Sequence, residues 1–127
     1  IKDYPFLAVA ACFAEGETIL RLPKEYRAKL RPVNDALAEN LRKTGAEVGV
    51  YDDGLVIRGL ETVVNGSEFD CGGNPEIGLA LSVLSLALEN DEPVANGQSI
   101  EIRFPGVLEK LAQVMKLQNE KQNSEEQ

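Results

Sequence analysis

The chain has 127 residues, a net charge of −8, no histidine and two cysteines, with 43% apolar and 27% charged residues. That length holds one modest core and not two full domains, and the composition is that of a globular protein. An acid excess without a dense Lys/Arg run argues against a nucleic-acid binder, the cysteines alone leave tetrahedral zinc almost no ligands, and no apolar run reaches transmembrane length.

Residues 4–15 (YPFLAVAACFAE) read as a helix that is apolar nearly all round, a pattern for burial on most sides; Pro5 suits its first turn and Gly16 ends it. Cys12 inside it is expected to be a buried free thiol. Residues 17–22 (ETILRL) alternate and read as a strand that Pro23 stops. Lys24–Arg31 (KEYRAKLR) is the basic cluster of the chain, either a solvated helix approach or a surface facing an anion. A second helix opens at Pro32 or Val33 and runs to about Lys43, with Val33, Leu37, Ala38 and Leu41 on one face and Arg42 and Lys43 where the helix dipole favours cations.

Gly45 breaks that helix, and residues 46–59 (AEVGVYDDGLVIRG) read as two strands about an Asp52-Asp53-Gly54 turn, the clearest hairpin signal in the chain. Glu61–Gly66 offers a short third strand, and Asn65-Gly66-Ser67 matches a glycosylation sequon but reads as a turn. Residues 70–76 (DCGGNPE) form a loop, in which Cys71, beside two glycines, is expected to be more exposed than Cys12. Asn74 suits a cap and Pro75 a first turn for an apolar, buried helix from Glu76 to about Glu89. Residues 92–97 read as a short strand and turn; Pro105-Gly106 precedes a last helix to about Leu117, with Leu108, Leu111 and Met115 on one face. Residues 118–127 contain no apolar side chain and are expected to be disordered.

An internal order emerges. Buried helix, short strand, amphipathic helix and hairpin occupy residues 4–59, and the first three recur from 75 to 117. The expectation is a single α/β domain over 1–117, made of units at about 1–68 and 69–117, the second lacking its hairpin. Such a unit leaves a sheet edge and an apolar helix surface to be covered by missing strands or by a partner chain. The first residue is Ile1, which suggests a domain cut from a longer protein.

The residues also carry a resemblance. IKDYPFLAVAACFAEGET, RAKLRPVNDALAENLRKTGAEV, DDGLVIRG, GLALSVLSLALENDEPV and RFPGVLEKLAQV follow one another in the order found in the C-terminal part of 5-enolpyruvylshikimate-3-phosphate synthases, across about nine-tenths of the chain. The resemblance implies an α/β fold of repeated β-α-β-α-β-β units of the enolpyruvyl transferase type, one nearly complete here and one incomplete. It implies ligands of the type of shikimate 3-phosphate and phosphoenolpyruvate, bound between two such domains, a place in aromatic amino-acid synthesis and a cytoplasmic location. No cofactor, metal, nucleic acid or membrane is expected.

The family's chemistry does not carry over. Lys2 stands where the resemblance implies a proton-transferring Asp, Leu30 where it implies an acid–base Glu, and Val33 where it implies a phosphoenolpyruvate-binding Arg; Asn74-Pro75-Glu76 replaces Asp-His-Arg. Lys29 survives, and with Arg27 it is the candidate substrate-binding pair; no catalytic residue is assigned. The expected function is a domain of a synthase-like protein, inactive as this chain. A binding or assembly module that reuses the fold is the alternative. An active transferase lacking its other half is disfavoured, because a second domain does not restore the replaced side chains.

Overall fold

An Asp-Asp turn between two apolar strands closes as its chemistry demands. In the computed structural model, which describes residues 3–59, 68–90, 93–114 and 116, strands β2 (Glu47–Tyr51) and β3 (Gly54–Arg58) form an antiparallel hairpin with Tyr51 opposite Gly54. β1 (Glu17–Arg21) adds to the other side of β3, giving a three-stranded antiparallel sheet in the order β1-β3-β2. Gly54 adopts φ +150 against β1, where a Cβ would stand 1.8 Å from the Leu20 carbonyl oxygen. The strands alternate. Leu55 and Ile57 enter the core, while Arg58 lies between Glu17 and Glu47 on the solvent face, 3.6 Å from each carboxylate. Those exposed pairs set register more than they add stability.

The sheet lies against α1 (Tyr4–Ala11) and α2 (Arg31–Arg42), and α1 packs in turn on α3 (Pro75–Ala87). Leu37, Ala38 and Leu41 form the buried stripe of α2, and Ile77, Ala80, Leu81 and Leu84 that of α3. Arg42 does more than complement a helix dipole: its Nε and Nη2 donate to the Val48 carbonyl at 3.0 and 2.6 Å, clasping the end of α2 to β2. Asn74 caps α3 as its residue type suggests, its Oδ1 accepting from the Ile77 N–H at 3.0 Å.

Three expectations are corrected. The first helix is shorter than expected, ending at Ala11 in turns; most of its residues are buried, as its apolar pattern implied, with Leu7 exposed on it and Phe13 exposed in the turns beyond. Cys71 is 1% exposed. Two carbonyls, those of Ala95 and Asn96, accept from its thiol, because residues 69–71 run parallel to Ala95 and draw the side chain inside. Of the expected short strand, the described residues 93–97 supply only the bridge at Ala95, followed by the expected turn at Asn96 and Gly97, and Gln98–Arg103, to which the pattern assigned no element, forms α4 with Ile100 its buried residue. Helix returns at 107–114 after Pro105-Gly106. The third-strand reading of Glu61–Gly66, the sequon, Lys2, Met115 and the polar tail lie outside the described residues.

Candidate functional site

Two stretches hold the residues that the resemblance singled out. The first joins β1 to α2. Pro23 ends the strand, Lys24–Tyr26 makes one turn of 3-10 helix, and further turns lead into Arg31, with the Leu30 N–H donating to Tyr26 at 2.9 Å. This tight path fixes the side chains by backbone geometry. Arg27 folds back and donates from Nε to the Leu22 carbonyl at 3.1 Å, holding the strand end. Lys29 projects from the turn, exposed, with no hydrogen bond or ion pair among the described residues. Arg31 spans Asp35 at 3.4 Å and Asp52 at 3.2 Å, tying the start of α2 to the hairpin turn. Leu30 and Val33 are half-buried and pack against the core.

The second stretch is the loop into α3. Gly72 and Gly73 adopt φ of +59 and +82, a left-handed path that residues with a Cβ rarely take. Asp70 accepts from the Gly72 N–H at 2.9 Å and from Asn96 Nδ2 at 2.8 Å. Those two bonds, helped by the charge of Lys43, hold its carboxyl below the usual range. Its backbone is gripped from α2: Asn40 Oδ1 accepts from the Asp70 N–H and Asn40 Nδ2 donates to its carbonyl, both at 2.8 Å. Glu76, in the first turn of α3, lies 3.8 Å from Arg103 Nε, and the Arg103 guanidinium stands 4.9 Å over the Phe104 ring. A carboxylate suits a helix start electrostatically, and Arg103 answers its charge.

The structure thus places Arg27 and Lys29 in one turn but spends Arg27 on a backbone carbonyl. Arg103 and Asn40 did not stand out in the sequence, because each meets its partner far along the chain and neither belongs to a local motif. Among the described residues no group of His, Cys, Asp and Glu is placed to hold a metal ion. Among the same residues no helix is long and apolar enough to cross a membrane.

The family model described as EPSP synthase (3-phosphoshikimate 1-carboxyvinyltransferase) matches residues 1–111. This chain belongs to the EPSP synthase family. It is 32% identical over 114 residues to the 3-phosphoshikimate 1-carboxyvinyltransferase of Brevibacillus brevis, covering 90% of this chain and 26% of that protein. It is 36% identical over 115 residues to the same-named protein of Pelotomaculum thermopropionicum, covering 91% and 26%. An EPSP synthase structure from Acinetobacter baumannii superposes with a TM-score of 0.72 at 24% identity, covering 89% of this chain and 26% of that one, a likeness of fold. The EPSP synthase-like chain described here therefore spans about a quarter of the length of these relatives. Its helices and three-stranded sheet agree with one repeat unit of an enolpyruvyl transferase.

Proposed function

We propose that the chain is part of an EPSP-synthase-like protein and does not itself support enolpyruvyl transfer from phosphoenolpyruvate to shikimate 3-phosphate. The observation that carries this reading is that Leu30 and Val33 pack against the core at the two positions where the resemblance implies a Glu and an Arg. The transfer requires a proton given to a vinyl carbon, another taken away, and cations about phosphate and carboxylate groups. Packed leucine and valine supply none of these. Glu76 adds a negative charge where the resemblance implies an arginine, and Arg103 beside it is already paired. Lys29 remains the candidate for residual anion contact, with Arg27 secondary because its Nε is engaged. The same reading takes residues 1–117 as one α/β domain fragment, with units at about 1–68 and 69–117.

The test is phosphate release by the protein containing this chain, supplied with both substrates. No release is expected until Lys2→Asp, Leu30→Glu, Val33→Arg, Pro75→His and Glu76→Arg are introduced together; release by the unmodified protein refutes the reading. Titration with shikimate 3-phosphate, followed by amide NMR, then reports whether Lys29 still contacts an anion. A second reading, a binding or assembly module, draws on the exposed apolar side chains of Leu7, Phe13 and Val83. A monodisperse monomer at high concentration would dismiss it.

A further inference from the structure

We infer that Asn96-Gly97 is a modification site of this protein: the Asn96 side chain loses its amide to attack by the Gly97 nitrogen, and the carboxylate left at position 96 unfastens the loop that Asp70 and Cys71 begin. This is independent of whether the chain supports enolpyruvyl transfer.

The chemistry begins in the sequence. Where glycine follows asparagine, no side chain shields the next backbone nitrogen, which can close a five-membered ring on the asparagine amide carbon. The Gly97 nitrogen gives up its proton, bonds to Asn96 Cγ and expels ammonia. Water then opens the cyclic imide. The product is an aspartate, or an isoaspartate whose main chain runs through the side-chain carbon. Water is the one co-reactant, and nothing is oxidised or reduced. The chain has two such dipeptides, Asn65-Gly66 and Asn96-Gly97.

At the second of them the fold both requires the glycine and leaves the amide open to water. A Cβ on Gly97 would stand 3.0 Å from the Val94 carbonyl oxygen and 3.1 Å from Ile100 Cδ1, so a side chain there forces movement. The Gly97 N–H meets no acceptor among the described residues, and the nucleophile therefore gives up no hydrogen bond. Asn96 is exposed and holds φ at +58, a left-handed turn that asparagine tolerates. Ring closure needs the peptide between the two residues to swing toward the side chain. The bond from Asn96 Nδ2 to Asp70 Oδ1, at 2.8 Å, opposes that swing. Asp70 thus guards the site by holding the amide that must leave.

The product cannot fasten the loop again. Two carboxylates would face each other where a carboxylate and an amide donor now meet. Asn96 also lends its backbone carbonyl to the Cys71 thiol at 3.2 Å, beside the Ala95 carbonyl at 3.5 Å. An isoaspartate lengthens the main chain at that carbonyl. Cys71, buried in the intact protein, is therefore the side chain that modification uncovers. Cys12 is buried too, but its thiol donates to the Ala8 carbonyl, away from this loop.

The experiment holds the protein containing this chain in warm, mildly alkaline buffer and follows both dipeptides by peptide mass, with Asn65 as internal reference. Asp70→Ala is expected to raise conversion at Asn96 relative to Asn65 about tenfold, the effect of removing a hydrogen bond to a charged group. In the converted protein, and in Asn96→Asp without incubation, a thiol reagent is expected to label Cys71 about tenfold faster than in the wild type while Cys12 stays unlabelled. A ratio unchanged by Asp70→Ala overturns the inference, as does a Cys71 that stays unreactive after conversion. Labelling of Cys12 at the pace of Cys71 also overturns it, because the chain would then have unfolded as a whole instead of opening at the loop. Phosphate release is a separate readout, so failure here and failure of the proposed function are distinguishable.

Discussion

Asn40 does with one side chain what a neighbouring strand does with its backbone. It is buried on α2, yet its amide both accepts from and donates to Asp70, and a further bond from Nδ2 reaches Ala36 at 2.8 Å. Asn40→Ala leaves the Asp70 backbone groups without those partners, and a loss of about 1–3 kcal/mol is expected in urea unfolding. Asn40→Asp should not rescue it, because a carboxylate cannot donate to the two carbonyls. The Asp70 carboxyl gives a pH signature. Its folded pKa lies below the ordinary 3.8, so its contribution to stability is complete above that value and is lost as pH falls through the lowered one. Asp70→Asn is therefore expected to bring variant and wild-type stabilities together as pH falls through that lowered pKa, and divergence persisting below it would contradict the assignment to Asn96 and Gly72. At the other extreme, burial pushes the Cys12 thiol up to about 11 and the Tyr4 hydroxyl up to about 12, which removes both from chemistry near neutral pH.

Among the elements, the β1-β3-β2 sheet depends on one close approach. With φ at +150 and the Leu20 carbonyl where its Cβ would stand, Gly54 admits no side chain unless β1 moves. Gly54→Ala is expected to cost about 1–3 kcal/mol and to speed amide exchange in β1 before β2, since β1 is the strand displaced. Equal exchange in both strands would place the strain elsewhere. The hairpin itself was legible because Asp52-Asp53-Gly54 interrupts two apolar runs, and α3 was legible because Asn74-Pro75 announces its start. α4 was not legible. Six residues with one buried side chain carry no periodicity, and the helix is held by what Ile100 packs against. The β1–α2 connection was legible only as a basic cluster; that Arg27 turns inward to Leu22 while Lys29 turns outward follows from the tight turns between them.

For the molecule as a whole, apolar surface outruns the cover available to it. Leu7 on α1 is 54% exposed, Phe13 in the turns after it 49%, and Val83 on α3, which packs on α1, 36%. Single exposed apolar residues are ordinary, whereas a contiguous apolar patch marks a contact site, and dye binding distinguishes the two. The chain is expected to bind an apolar dye when dilute and to lose that binding as concentration rises, with Leu7→Lys weakening both effects. A variant that binds dye as the wild type does would show that the exposed face lies elsewhere. Among the described residues β1 and β2 are the two edges of the sheet, so the molecule has more than one route to a partner.

What the sequence determined by itself was local: the succession from α1 to α3, the hairpin, the α3 cap, and the replacement of the residues that the family resemblance made chemical. Those follow from side-chain period, turn stereochemistry and residue identity, all written within a few positions of one another. Tertiary structure alone decided that Cys71 is buried, that α1 has an open side, that Asn40 stands in for a strand, and that Glu76 meets Arg103. Each of those depends on which distant segments come to lie side by side, and a pairing between residues far apart in the chain leaves no periodic trace in either of them.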